Sequence, residues 1–217
     1  MGHGKETPRQ KMIGMMYLFY TALLALQVSN SVLERFIFIN ESLEKQVKSN
    51  DVKNSGLVSN IEQQVEKRGN RAGDAAILTK AKAIRTETRK VIAYCDSLKG
   101  TMIAITGGRD ENGQIVGAKD QDKVANLMIN QQKGEELKKT LNDYAAYLTQ
   151  QTGKDLFTPL AFDGKDHPVY SNDRDQRVKD FATLFFESTP TAAGMSSVSQ
   201  LETEVMDYEN RALSELA

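Results

Sequence analysis

Residues 12–33 read MIGMMYLFYTALLALQVSNSVL, a run of 22 residues without a charged side chain. The run follows Arg9 and Lys11 and ends before Glu34. A helix rises about 1.5 Å per residue and the hydrocarbon core of a bilayer is about 30 Å thick, so a helix of this length can cross a membrane once. We therefore predict a transmembrane helix at residues 11–35, preceded by a cytoplasmic tail and helix start at residues 1–10 and followed by a domain of residues 36–217.

Charges on the two sides of this run predict its orientation. The tail carries Lys5, Arg9 and Lys11 against a single acidic residue, Glu6. Because basic residues favour the cytoplasmic side, we expect a single-pass protein of the inner membrane with the bulk of the chain in the periplasm. A cleaved signal peptide is less favoured, because its apolar region is usually about 7–15 residues long and ends in small residues.

Composition limits what the larger domain can be. The 28 basic and 29 acidic residues give a net charge of −1, so no basic excess indicates nucleic-acid binding. The single cysteine, Cys95, excludes an internal disulfide and a paired-cysteine metal site. The 184 residues after Leu33 suffice for one sizeable domain.

Helical periodicity recurs throughout this domain. A first stripe continues from the membrane run to about Arg68, and the strongest pattern lies at residues 77–105, where apolar positions alternate in steps of 4 and 3. A third stripe runs from Val124 to Leu148 and a fourth from Val198 to Leu216, with a long excursion at residues 153–175 between them. Four long helices predict an all-α fold, with the transmembrane helix continuing into a periplasmic antiparallel four-helix bundle. Because the fourth helix meets Ala217 without a stop signal, we expect further domains beyond it.

No constellation in the sequence indicates enzyme chemistry. His3 and His167 lie far apart and neither has a second ligand at metal spacing. The glycines of residues 107–117 lack the ending of a phosphate-binding loop, and Cys95 falls on the apolar stripe as a small core residue. We expect a non-enzymatic protein without a metal or cofactor.

The membrane helix carries the candidate functional residues. Thr7 is expected to cap the helix, with Pro8 at its first position and Gln10 completing a capping box. Arg9 lies in the first turn and begins a polar stripe that includes Tyr17, Tyr20, Thr21 and Gln27. Arg9 either extends to the membrane surface or pairs with a carboxylate of another chain. This chain has no Asp or Glu between Thr7 and Leu33, so an acidic partner for Arg9 within the membrane would have to come from another protein chain.

The N-terminus resembles the GldM/PorM family, the inner-membrane motor subunits of Bacteroidota gliding motility and type IX secretion. The resemblance covers about residues 4–44 and rests on residues 7–13, 16–18, 22–26, 28–29, 32–33 and 40–43. Gly14, Phe19, Tyr20 and Gln27 depart from the family pattern, which leaves the roles of Tyr20 and Gln27 open.

The resemblance implies a function and partners. A homodimer would place its two membrane helices inside a ring of the two-span partner GldL/PorL, whose membrane carboxylate would pair with Arg9 and exchange protons. Proton flow would drive rotation, which the periplasmic part would transmit towards outer-membrane components of the secretion system through C-terminal domains missing from this sequence. Protonation of the partner's carboxylate would remove its charge and so weaken its ion pair with Arg9. The energy is sufficient, because a charge crossing 100 mV releases about 2.3 kcal/mol, which is comparable to the cost of breaking a partly desolvated ion pair.

Two other classes of protein fit the same layout. A single-pass sensor or chemoreceptor also places a periplasmic four-helix ligand-binding domain after one membrane helix, and a ligand pocket between helices would support that interpretation. An energy coupler of the TonB/TolA type is a weaker alternative, because its stalk is usually of lower sequence complexity.

Overall fold

The computed structural model of the chain describes residues 7–26 and 30–217. Its α-helices are α1 Pro8–Leu26, α2 Asn30–Lys67, α3 Ala72–Ile105, α4 Asp122–Ala125, α5 Lys133–Thr152, α6 Arg174–Arg177, α7 Phe181–Phe186 and α8 Thr191–Leu216. The β-structure in these ranges is a single isolated bridge between Arg109 and Ile115. The predicted all-α class is therefore confirmed.

Among the helices of the described ranges, none is both long and apolar enough to cross a membrane. The predicted transmembrane segment, residues 11–35, includes residues 27–29, which lie outside the described residues. The predicted continuity of the membrane helix with the domain falls on these same residues.

Helix α3 is central to the core and follows the sequence prediction closely. Seven of its stripe residues are buried: Ala81, Ile84, Thr88, Val91, Cys95, Leu98 and Met102. All of them except Thr88 belong to one cluster that also contains apolar residues of α2, α5, α7 and α8. The 4–3 spacing keeps one face of a helix turned towards its neighbours, which explains why this pattern predicts burial.

Hydrogen bonds between the long helices establish their directions. Ser196, near the start of α8, donates to the carbonyl of Phe36, near the start of α2. Further along both helices, Asn54 of α2 donates to the carbonyl of Met206 of α8. Helices α2 and α8 are therefore parallel, and the predicted antiparallel bundle is wrong for α8. Contacts further along α3 reach residues earlier in α2, α5 and α8, so α3 is antiparallel to all three helices.

The segment between α5 and α8 explains this topology. It runs back along α5, because Ala161 hydrogen-bonds Asn142 and Asp163 pairs with Lys138. Its far end then places Thr191, the first residue of α8, against the carbonyl of Asp120. A connection that returns along the bundle allows consecutive long helices to point the same way.

The third predicted stripe is divided in two. A π-helical turn at Asn126–Asn130 follows α4, and Gln132 then adopts a positive φ of 60° before α5 begins. Gly134 lies so close to the neighbouring α7 that an added Cβ would be 2.5 Å from the Cβ of Ala182. The chain bends here so that α5 can pack tightly against α7.

Candidate functional site

The predicted cap of the first helix has the expected geometry. The backbone N–H of Thr7 donates to Gln10 Oε1 at 3.1 Å, and the N–H of Gln10 donates to Thr7 Oγ1 at 3.4 Å. Pro8 is the first residue of α1 and Arg9 follows it, exposed. A cation in the first turn is opposed by the helix dipole, so Arg9 gains nothing from its own helix.

The predicted polar stripe of α1 is exposed where it is described. Tyr17 and Tyr20 have 73% and 60% of their surface accessible. The Thr21 hydroxyl donates to the carbonyls of Tyr17 and Leu18, which satisfies it within the helix. Gln27 lies outside the described residues.

A second set of polar residues joins α2 to α8 inside the domain. We call it the α2–α8 seam and define it as Asn40, Asn54, Ser196, Ser199 and Glu209. Asn54 is fully buried and donates to Glu209 Oε2 at 2.7 Å as well as to α8 backbone. Ser199 donates to Asn40 Oδ1 at 2.8 Å, and Ser196 donates to the carbonyl of Phe36. These bonds fasten the two parallel helices at several levels.

Arg85 of α3 binds the α2–α8 seam at Glu209. Its guanidinium donates to both oxygens of Glu209, at 3.1 and 2.9 Å, and to Asp51 and Ser55 of α2. The Arg85 side chain is 8% exposed and Glu209 is fully buried. Three helices thus meet at one buried charge pair, whose hydrogen bonds offset the cost of removing the charges from water.

A second buried pair lies nearer the other end of α3. Lys99 Nζ is 2.6 Å from Glu202 Oε2, 3.1 Å from Asp96 and 3.9 Å from Glu44. We call these four residues the Lys99 cluster. Glu202 is 1% exposed and its other oxygen, Oε1, has no hydrogen-bond partner within the described residues.

Burial changes the titration of these acids. It raises the pKa of Glu202 to about 7, although the neighbouring Lys99 opposes the shift. Burial also raises the pKa of Glu209, against the hydrogen bond from Asn54 and the charge of Arg85. Burial lowers the pKa of Lys99, but the charges and hydrogen bonds of Glu202 and Asp96 together outweigh burial, so the net shift of this pKa is upward. Lys99 therefore stays charged, and Glu202 is the member of the pair that titrates near neutral pH.

A cleft opens between α2 and α3 beside this cluster. Its volume is about 670 Å³, and Met195, Glu202 and Met206 of α8 contribute to its wall. A second cavity of about 530 Å³ lies beside the cleft and shares Glu44, Arg109 and Met195 with it.

Sequence reasoning missed the seam and the Lys99 cluster, although a signal was present. Val198, Glu202, Val205, Glu209 and Ala212 are spaced 4, 3, 4 and 3 residues apart, so the two glutamates occupy positions of the apolar stripe on α8. A carboxylate at such a position needs a buried partner. The two histidines and the cysteine considered in the sequence do not belong to these clusters. His167 accepts a hydrogen bond from the backbone N–H of Val169 and stacks on Phe162, and Cys95 is a buried free thiol. His3 lies outside the described residues.

Comparison with known families identifies the larger domain. A family described as GldM N-terminal domain matches residues 31–217, which includes all of the part that follows the predicted membrane segment. A search of curated proteins finds no match. The resemblance noted at residues 4–44 and this match therefore rest largely on different stretches of the chain. The chain belongs to the GldM family, a membrane-associated component of the gliding motility and type IX secretion motor.

Proposed function

We propose that this chain is a non-enzymatic, membrane-anchored subunit of a proton-driven rotary motor that powers type IX secretion and gliding. In this proposal residues 11–35 cross the inner membrane, the N-terminus is cytoplasmic and residues 36–217 are periplasmic. Two copies of the chain place their membrane helices inside a ring of a two-span partner of the GldL/PorL type.

Arg9 is the residue we assign to the partner ring. It is exposed on α1, and none of the described residues places a carboxylate within 4 Å of it. A carboxylate of the ring would pair with Arg9 when ionised and release it when protonated. A proton moving down a potential of 100 mV supplies about 2.3 kcal/mol for this exchange. Tyr17, Tyr20, Thr21 and Gln27 would form the rest of the surface that faces the ring.

The observation that carries the transmission part of the proposal is the α2–α8 seam. Helix α2 begins at Asn30, within the predicted membrane segment, and α8 is the last helix of the described residues. Because the two helices are parallel and joined by buried hydrogen bonds at Asn40 and Asn54, a rotation of α2 would carry α8 with it. In this proposal, the motion of α8 is passed on towards outer-membrane-associated secretion components.

Purification from the native membrane in mild detergent, with masses of the bound proteins, tests the proposal first. We expect a dimer of this chain with several copies of a small two-span protein that has a carboxylate within one span. A lone chain, or a complex with a cytoplasmic signalling protein, would instead favour the single-pass sensor.

An arginine substitution then tests the ion pair. Arg9→Ala should abolish proton-dependent secretion while the complex still assembles, and Arg9→Lys should retain part of it because the charge remains. Lys11→Ala, which removes a cation two residues away, is the matched control and should have little effect. Full function of Arg9→Ala would contradict the assigned role.

A further inference from the structure

The cleft between α2 and α3 has a long apolar wall that the motor function does not use. Val47 of α2 and Ile92 and Ile103 of α3 line it and are half-buried. On α3 the lining residues run from Thr88 to Ile103, which corresponds to about 22 Å along the helix. A groove of this shape suits a long, narrow apolar group better than a compact one.

Two free cations lie on opposite sides of the cleft, Lys48 on α2 and Arg89 on α3. Both are exposed, and neither has a hydrogen bond or ion pair with any described residue. Asp51, one turn from Lys48, already binds the guanidinium of Arg85 at 2.6 Å. Lys48 and Arg89 are therefore free to turn towards an anionic head, and an arginine can bind a carboxylate through two parallel hydrogen bonds.

The other end of the cleft, around Lys99, has nearly balanced charges. Glu44, Asp96 and Glu202 lie within 4 Å of Lys99 Nζ, and Arg109 lines this end as well. Because burial raises the pKa of Glu202 to about 7, this acid is about half protonated near neutral pH. The net charge of the five groups is therefore close to zero, and this end attracts an anionic head less strongly than the two free cations do.

The length of the cleft sets the length of the occupant. The hydrocarbon core of a bilayer is about 30 Å thick and contains two layers of acyl chains, so one such chain spans about 15 Å. Gly100 follows Arg89 by eleven residues, which is about 16 Å along α3. An acyl chain of the usual length that starts at Arg89 therefore reaches the level of Gly100 and stays within the cleft.

We propose that this cleft binds a fatty-acid anion, with its carboxylate at Lys48 and Arg89 and its alkyl chain along Ile92 towards Ile103. This proposal goes beyond the motor function and does not depend on it. The volume of about 670 Å³ lies within the range of small-molecule sites. Burial of methylene groups would supply most of the affinity, and the two exposed cations would fix the direction of the chain and add a smaller, salt-dependent contribution.

Photolabelling of the full chain in lipid nanodiscs tests the proposal, with a palmitate analogue that carries a diazirine in its chain. We expect saturable labelling of the cleft walls, residues 44–52 of α2 and 88–103 of α3, mapped by mass spectrometry. Palmitate should compete for this labelling several-fold better than hexadecanol, which has the same chain without the charge. Absent or unsaturable labelling of these residues, or equal competition by the two compounds, would overturn the proposal.

Gly100 allows the cleft to be blocked without a change of charge. It lines the cleft and is exposed, and an added Cβ would meet nothing within 4 Å. Gly100→Leu should therefore fold normally, place its side chain in the path of the alkyl chain and weaken labelling at least about tenfold. Gly56→Leu makes the same replacement at an open position of α2 that does not line the cleft, and should leave labelling within about twofold. Equal labelling of both variants would contradict the assigned path of the chain.

Removal of the two free cations tests the contact with the carboxylate. Lys48→Gln combined with Arg89→Gln should weaken labelling about three- to tenfold, because each exposed cation contributes modestly. Lys45→Gln combined with Lys90→Gln removes two cations of the same helices that do not line the cleft, and should leave labelling within about twofold. The difference between the two double variants should shrink in about 1 M salt, which screens exposed charges. Equal effects of the two pairs would overturn the assignment of the carboxylate to Lys48 and Arg89.

Discussion

At the residue scale, Asn54 is the side chain that joins α2 to α8 most directly. Its amide binds Glu209, the carbonyl of Met206 and Asn210. Asn54→Leu would leave the buried carboxylate of Glu209 with one fewer donor and fill the space with an apolar group. We expect the free energy of unfolding to fall by about 2–4 kcal/mol, measured by urea denaturation.

The control for this substitution lies on the same helix. Asn60 is exposed, so Asn60→Leu should change the free energy of unfolding by no more than about 0.5 kcal/mol. An equal effect of both substitutions would mean that the buried amide contributes nothing beyond its position in the helix.

Glu202 makes a pH-dependent contribution at the same scale. Its pKa rises from an ordinary value of 4.5 to about 7 on folding, so the native state holds a proton more tightly than the unfolded state. Stability from this group is therefore fully present below about pH 4.5 and is lost as the pH rises through 7. The charged groups that face it are Lys99 and Asp96 of α3 and Glu44 of α2.

Thermal unfolding at a series of pH values checks this contribution. Glu202→Gln removes the titrating group, so the difference in stability between the variant and the native chain should change between pH 4.5 and 7 by up to about 3 kcal/mol, in favour of the variant. Glu215→Gln removes an exposed carboxylate from the same helix, so the stability of this variant should depend on pH in the same way as that of the native chain. A pH-independent difference for Glu202→Gln would contradict the raised pKa.

At the scale of elements, Gly134 determines how closely α5 approaches α7. An added Cβ would lie 2.5 Å from the Cβ of Ala182 and 2.8 Å from the carbonyl of Met128. Because both obstacles belong to backbone or its first side-chain atom, they cannot move aside easily. Gly134→Ala should destabilise the domain by about 1–3 kcal/mol in urea unfolding.

Gly56 provides the opposite case. It lies within α2, and a Cβ there would meet nothing within 4 Å. Gly56→Ala should therefore stabilise the chain by about 0.5–1 kcal/mol, the usual gain for a helix interior. If both alanine variants changed stability in the same direction, the close packing at Gly134 would not be the cause.

The elements also show what the sequence can and cannot predict. The buried face of α3 is predictable from the sequence because each of its residues follows from the 4–3 spacing alone. The direction of α8 could not be predicted, because periodicity identifies which face of a helix is buried but not which helix packs against that face. The break at Gln132 was missed for a related reason, since it depends on α7, which lies about 50 residues further along the chain. Arg85 and Lys99 were missed because their partners lie on other helices.

At the scale of the whole molecule, the parallel pairing of α2 and α8 joins the first and last long helices of the domain along their length. Hydrogen bonds of the seam occur near the start of both helices, at Ser196, and again at Asn54, far along α2. Helix α5 contacts α8 and α3 but contributes no residue to the seam. Opening of the seam should therefore expose α2 and α8 together and leave α5 protected.

Native-state amide hydrogen exchange of Asn54→Leu measures this coupling. We expect faster exchange at residues 47–67 of α2 and 203–216 of α8, by a similar factor in both, and a smaller change in α5. Asn60→Leu should leave all three helices close to the native chain. Faster exchange confined to α2 would show that α8 does not open together with α2, and would contradict the proposed transmission of rotation from α2 to α8.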